Sequence, residues 1–352
     1  MTERRRPIAM ERTRVDIAVV GGGPAGTSAA TAAAASGAST ILFDAPAVTA
    51  DRTPDDLAPS IESHGPTTVG RLDRRDATTV WGIFAGNVLG TTGPGGAAEV
   101  EAGRIVLATG ARRVREPAPG WTQPDIQLAL MAECAAGYSE PLGGWVPGRT
   151  RDLVTSNVAI LVAGDCAGLC SNDVAVAEGR LAGLSAALGL GYGSEAERAD
   201  ARTRLERLEP DRTATMANLS ALHVQGHQAP IVGAGAFATT LDGDAPTGET
   251  HANAMLPNGT VVCPCEGITE AAVMAAIADG ATSLTDIKRR TRAGMGVCQG
   301  LLCGRPIAKL IAQETGLALS AISPMTSRPP VGPIRLAALA GVVMERSPER
   351  DD

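Results

Sequence analysis

Residues 16–26 read Asp16-Ile17-Ala18-Val19-Val20-Gly21-Gly22-Gly23-Pro24-Ala25-Gly26, and the alanine-rich stretch Thr27–Ala35 follows directly. The apolar run Asp16–Val20 reads as a buried strand. The alanines read as a helix, because alanine loses no side-chain entropy when it becomes helical. Between them lies the pattern G-x-G-x-x-G. Gly21 permits a tight turn, Gly23 lets the backbone approach a pyrophosphate, and Gly26 lets the helix pack close to the strand. The helix N-terminus, with Pro24 and Ala25 in its first turn, receives phosphate charge. A second strand, Ser39–Phe43, ends at Asp44, 18 residues beyond Gly26, about where an acidic side chain meets a ribose hydroxyl. Motif, flanking elements and acid together predict a nucleotide site and an α/β fold.

Three later segments extend this reading. Arg104–Leu107 reads as a strand that runs into the turn Ala108-Thr109-Gly110. Val158–Val162 reads as another, leading to Gly164-Asp165, and a long helix starts near Asn172 and contains Glu178-Gly179-Arg180. The order resembles that of the two-dinucleotide-domain flavoproteins. That resemblance implies a Rossmann-like FAD-binding domain in which Gly21, Gly23, Gly26, Asp44, Thr109 and Gly110 hold the ADP half of FAD. Gly164 and Asp165 reach its ribityl and flavin phosphate. The family inserts an NAD(P)H domain between the two later turns. Here about 50 residues separate Gly110 from Gly164, with no second glycine fingerprint, so the NAD(P)H domain is expected to be missing. The glycine loop meets the same adenosine and phosphate groups in FAD as in ATP or ADP, and ATP/ADP stays open as the alternative ligand.

Cys263-Pro264-Cys265, then 32 residues, then Cys298-Gln299-Gly300-Leu301-Leu302-Cys303 form the second signal. Four thiolates suit either tetrahedral zinc or a [2Fe–2S] cluster, and spacing alone leaves both open. The turn Thr291-Arg292-Ala293-Gly294-Met295-Gly296 tips the balance, since it lets backbone N–H groups approach cluster sulfur. Thr269–Ala278 and Thr285–Arg290 read as short helices, and a third is expected from about Gln299 to Glu314. Lys288, Arg289 and Arg292 would offset the charge of the thiolates. CPCEGIT, KRRTRAGMGVCQG and GLLC resemble the bacterioferritin-associated-ferredoxin-like (BFD-like) [2Fe–2S] domain, with Pro264 where that family often has Arg.

With Pro119–Thr122, Gly143–Pro147 and Arg328–Ile334 added, the chain resembles the FAD/[2Fe–2S] subunit of heteromeric amino-acid and amine dehydrogenases. This group includes hydrogen cyanide synthase, opine oxidase and the proline and hydroxyproline dehydrogenases. The resemblance implies a partner amino-acid-oxidase-like flavoprotein subunit that takes a hydride from a C–N bond, and optionally a third small subunit. It also implies an electron-relaying role for the present chain, with no catalytic residue of its own. The expected plan is a disordered N-terminus at 1–13, a dinucleotide domain at 14–195 and a connecting segment at 196–258. A small, mostly helical [2Fe–2S] domain at 259–320 and a tail at 321–352 complete it.

Bulk properties narrow the field further. A net charge of −7 argues against nucleic acid or an anionic membrane as partner, since both need a basic face. The charged N-terminus lacks an apolar core behind it, and no run approaches a bilayer span, so a cytoplasmic location is expected. Cys166 and Cys170 read as buried packing residues, with a redox pair as the alternative; Cys134 reads as core. Trp121 and Trp145 are candidates for a partner surface. The four histidines form no metal or triad pattern.

Overall fold

The computed structural model describes residues 12–45, 72–94, 96–114, 121–208, 210 and 260–334. Strand β1 (Arg12–Val20) leads through the glycine loop into α1 (Pro24–Ala35) and returns as β2 (Thr40–Asp44). After β3 (Leu72–Asp76) comes a meander of β4 (Thr79–Phe84), β5 (Val88–Gly93) and β6 (Gly96–Leu107). Two antiparallel ribbons come next. One is β7 (Ala111–Val114) with β8 (Trp121–Pro124); the other, after the short α2 (Gln127–Met131), is β9 (Ala136–Ser139) with β10 (Gly144–Pro147). Strand β11 (Ile160–Val162) and helix α3 (Asn172–Leu188) close the first body.

One seven-stranded sheet carries this body, in the order β3-β2-β1-β6-β5-β4, with β11 also pairing to β6. Strand β6 is long enough to take three partners within this one sheet. Residues 96–101 pair antiparallel with β5 along one edge and residues 105–107 pair parallel with β11 farther along, while residues 99–107 lie parallel to β1. Alternate residues of the parallel strands feed two cores. Ile17, Val19, Leu42, Val106 and Leu161 face α1 and α3. Ala18, Val20, Ile41, Phe43, Ile105, Leu107, Ile160 and Val162 face the other side, under α2 and the meander. Burial on both faces is the reason these strands read as continuous apolar runs.

The helical layer explains how a chain with only 2% aromatics builds a core. Gly179 and Gly183 of α3 bring its backbone directly onto α1. A Cβ at Gly179 would stand 2.0 Å from the Ala25 carbonyl oxygen, and one at Gly183 2.2 Å from that of Ala29. Small residues on both helices trade side-chain bulk for close backbone approach.

Several expectations need correction. Strand β1 begins at Arg12, inside the segment expected to be disordered, because Arg12 and Arg14 pair with Glu101 on β6. Helix α4, over 195–208, sends Ala201 and Leu205 into the α1/α3 core, so the first body continues past residue 195. The tail expected from 321 is also packed: Ile322 and Met325 are buried in the C-terminal core, and the Val331 amide donates to the Trp81 carbonyl at 3.0 Å. The expected features at 1–11, 46–71, 211–259 and 346–352, including all four histidines, lie outside the described residues, as does the Trp121 side chain.

The second body is small. Strands β12 (Val261–Cys263) and β13 (Ile268–Thr269) form a two-stranded ribbon ahead of α5 (Glu270–Ala278), α6 (Leu284–Thr291) and α7 (Gly304–Thr315). Thr269 and Ser283 cap α5 and α6, accepting hydrogen bonds from Ala272 N and Asp286 N. Val273, Leu284, Ile287, Ile307 and Ile311 form its core with Cys263 and Cys303. Helix α7 starts five residues later than expected, because Gln299 and Gly300 take positive φ and turn the chain between the last two cysteines. No helix among the described residues is long and apolar enough to cross a membrane.

Candidate functional site

Strand register gathers the predicted nucleotide residues. Phe43 lies beside Val20, Val20 beside Leu107, and Leu107 beside Val162, so four parallel strands end level with one another. Directly beyond those ends lie Asp44, Gly21–Gly26, Ala108-Thr109-Gly110 and Gly164-Asp165. The crevice beyond the carboxyl ends of such strands is where this architecture takes ligands.

The glycines there are fixed by contact. Gly21 has φ +114°, and a Cβ on it would lie 2.1 Å from the Ala108 carbonyl oxygen, so the loop rests on the Ala108–Gly110 turn. Gly23 is the N-cap of α1, and a Cβ there would meet nothing within 4 Å. That open face, at the positive end of a helix with no capping side chain, is a cradle for a phosphate group. Asp44 leans over the loop, its carboxyl carbon 2.1 Å from where a Gly22 Cβ would be. Gly164, at φ +75°, packs against Ala25, and the Asp165 carboxylate accepts from the Cys170 amide at 3.0 Å. The cradle therefore fits a dinucleotide.

Two supporting groups escaped the sequence reading. Arg74 of β3 donates to Asp44 Oδ2 at 3.0 Å and so fixes the acid expected at the ribose. Glu178 is fully buried; it accepts from Gly164 N at 2.7 Å and pairs with Arg149 at 2.6 Å. Its triplet with Gly179 and Arg180 stood out in the sequence, but only the fold shows that its carboxylate holds the Gly164 turn. Asp16, midway along β1, accepts from the Ser39 amide and hydroxyl at 2.8 and 2.7 Å and from Tyr192 at 3.1 Å. Burial pushes its pKa up, but these bonds outweigh that and hold the carboxyl below its usual value.

Cys166 and Cys170 behave as packing residues. The Cys166 thiol donates to the carbonyls of Leu107 and Ala163, and burial pushes its pKa up to about 11. Cys170 turns toward Asp165 instead. Cys134 is buried, as expected.

In the second body the four cysteines come as two thiol pairs. Cys263 and Cys303 are both fully buried and hydrogen-bond to each other. That bond draws the Cys263 pKa down to about 6, helped by the Gly294 amide 3.5 Å from its sulfur, and raises that of Cys303. Cys265 lies against Cys298 nearer the surface; burial raises its pKa first, and the neighbouring thiol adds to this. Gly296 must be glycine because a Cβ on it would lie 2.3 Å from that of Cys265. Among the described residues, no three His, Cys, Asp or Glu side chains gather where one metal ion would sit. The chemistry of the donor set, four thiols with the Gly294 amide at Cys263 sulfur, fits a [2Fe–2S] cluster. Of the expected cations, Lys288 donates to the Thr326 carbonyl at 3.0 Å and lies within electrostatic reach of Cys303, while Arg292 pairs with Glu266.

The two bodies touch. Trp145 contributes to the contact: its Nε1 donates to the Ile322 carbonyl at 2.9 Å, and its ring packs edge-on to Tyr138. Arg305 of α7 reaches back to Glu140.

Comparison with known proteins agrees with this geometry. Residues 15–143 match the pyridine nucleotide-disulphide oxidoreductase family, and residues 261–313 match the BFD-like [2Fe-2S] binding domain. The A subunit of opine oxidase from Rhizobium meliloti (strain 1021) is 30% identical over 220 residues, covering 62% of this chain and 42% of the relative. The HcnB subunit of hydrogen cyanide synthase from Pseudomonas protegens is 27% identical over 164 residues, covering 46% of this chain and 30% of the relative. The chain thus spans less than half the length of these relatives. Among solved structures, L-proline dehydrogenase from P. horikoshii shares the fold, with a TM-score of 0.66 at 16% identity over 94% of this chain and 80% of that one. The chain therefore combines a Rossmann-like fold whose residues 15–143 resemble the pyridine nucleotide-disulphide oxidoreductase family with a small helical domain whose residues 261–313 resemble the BFD-like [2Fe-2S] binding domain, and its sequence is similar to the opine oxidase A and HcnB subunits.

Proposed function

We propose that the chain is the electron-transfer subunit of a heteromeric flavoprotein dehydrogenase or oxidase acting on an amino acid or amine. The observation that carries this reading is the joining of a dinucleotide cradle and a paired four-thiol site in one packed molecule. FAD is the ligand proposed for the cradle. Gly21, Gly23, Pro24, Ala25 and Gly26 would line its pyrophosphate and Asp44 its ribose, with Thr109 and Gly110 beneath and Gly164 and Asp165 toward the flavin phosphate. Cys263, Cys265, Cys298 and Cys303 would hold the cluster, which when bound supplies one-electron storage.

This chain's own residues bind, orient and shield. The α1 N-terminus neutralises phosphate charge, Arg74 fixes Asp44, and Glu178 fixes Gly164. Gly294 aims an N–H at Cys263 sulfur, which favours the thiolate. Between Gly110 and Gly164 the described residues form two ribbons and short helices, with no parallel βαβ unit to receive a nicotinamide. Electrons would therefore come from a partner flavoprotein subunit. The test uses the chain co-purified with that partner, given a panel of amino acids and secondary amines without oxygen. Bleaching of the cluster absorbance by one of them is expected. Rapid NADH oxidation by the isolated chain with a dye acceptor would contradict the proposal.

A further inference from the structure

Residues 123–127 make contacts in two directions. Toward the nucleotide site, the Asp125 amide donates to the Gly110 carbonyl at 3.0 Å, and Thr109 Oγ1 donates to the Asp125 carbonyl at 2.8 Å. Arg112 clamps the Asp125 carboxylate at 2.6 Å. Toward the cysteines, Gln123 Nε2 donates to the Leu301 carbonyl at 3.1 Å, and Gln127 Nε2 donates to the Gln299 carbonyl at 3.4 Å. Both carbonyls belong to the turn between Cys298 and Cys303, where Gln299 and Gly300 have positive φ. The strut is anchored as well: Ile126, Leu128 and Ala129 are buried, the last two within the sheet core.

We infer that Gln123 and Gln127 are positioning residues that lock the Cys298–Cys303 turn to the Thr109–Gly110 turn, holding the two redox sites at one fixed separation. The inference rests on the proposed flavin and cluster occupancy for its purpose, but not for its geometry. These amides also wall a cleft at the domain seam, lined on its other sides by Trp145, Gly300, Leu301 and Arg305. Backbone carbonyls in a tight turn have few other partners, so the two donors do more there than they would on an ordinary surface. The other seam contacts described above, Trp145 to Ile322, Arg305 to Glu140 and Val331 to Trp81, hold α7 and the segment after it, whereas the glutamines bond the cysteine turn itself.

The test is Gln123→Met with Gln127→Met in the full-length protein, a change that keeps side-chain length and removes both donors. Hydrogen exchange of the amides at 299–302 is expected to rise about tenfold, the opening factor of one to two ordinary hydrogen bonds. Iron and flavin content should stay at the wild-type level. A second readout follows one electron passing from photoreduced flavin to the oxidised cluster, a step that makes and breaks no bond. Its single-exponential course is expected to split into several phases, which a merely structural loosening far from the path would not cause. Unchanged exchange, or raised exchange with unchanged electron transfer, would overturn the inference. Exchange is read on the protein as purified, so a wild-type protein lacking flavin would sink the proposed function while the exchange arm still judged the strut.

Discussion

Replacing Gly179 with alanine tests whether the nucleotide cradle depends on the backbone contact between α1 and α3. The added Cβ would lie 2.0 Å from the Ala25 carbonyl oxygen, 2.7 Å from its carbon and 2.9 Å from its Cα. All three are backbone atoms, so no rotamer change relieves the clash. The oxygen alone falls about 1.4 Å short of ordinary contact, and one helix must retreat by that order. Overpacking a rigid site costs up to about 3 kcal/mol. The better helix propensity of alanine returns about 1 kcal/mol. A net loss of about 2 kcal/mol lowers the midpoint of a domain this size by about 4–8 °C. Ala25 sits in the first turn of α1, so the shift also moves the phosphate cradle. Calorimetry, with released nucleotide and iron assayed on the same sample, is the assay. The melting temperature and the nucleotide content should both fall, while iron holds, because the cysteine body has its own core. A variant as stable as wild type with full nucleotide would refute the reasoning.

Other outcomes rest on the same geometry. Asp16→Asn should destabilise the protein at neutral pH. The Asp16 carboxyl is held below its usual pKa, so its contribution is complete above the unfolded value near 3.9 and disappears as pH falls through the folded value; melts of the two proteins should converge in acid. Glu178→Gln strips Arg149 of its buried counter-charge and should cost about 3 kcal/mol or more, with loss of bound nucleotide. Adding Arg149→Met should recover roughly half of that stability in a denaturant titration. Cys303→Ser, at the fully buried thiol, should abolish iron binding and leave the thermal transition of the nucleotide domain in place, as iron assay and calorimetry would show.

What could be read from the sequence was local. The glycine loop and the cysteine spacings are short patterns whose chemistry needs those residues within a few positions, and both segments fold at the ends of the elements expected. Charge concealed the start of β1: Arg12 and Arg14 look like a solvated tail until Glu101, 87 residues beyond Arg14, supplies their partner. The same holds for Glu178, whose role depends on a Gly164 amide and an Arg149 side chain brought in by the sheet crossover. Helix α7 looked longer because Gln299-Gly300-Leu301-Leu302 is an acceptable helical sequence, and only the geometry of two flanking cysteines forces a turn there. The strap at 319–334 carries too few apolar residues to announce itself, yet Ile322, Met325 and Val331 each fill a core position.

The most direct test of the account is composition: iron, acid-labile sulfide, zinc and released nucleotide, measured on full-length protein purified without oxygen, with its visible spectrum. An electron-relaying subunit of this kind should yield about two irons and two sulfides per chain with [2Fe–2S]-type absorbance, and FAD on release. Zinc in place of iron, or a colourless protein, would contradict it.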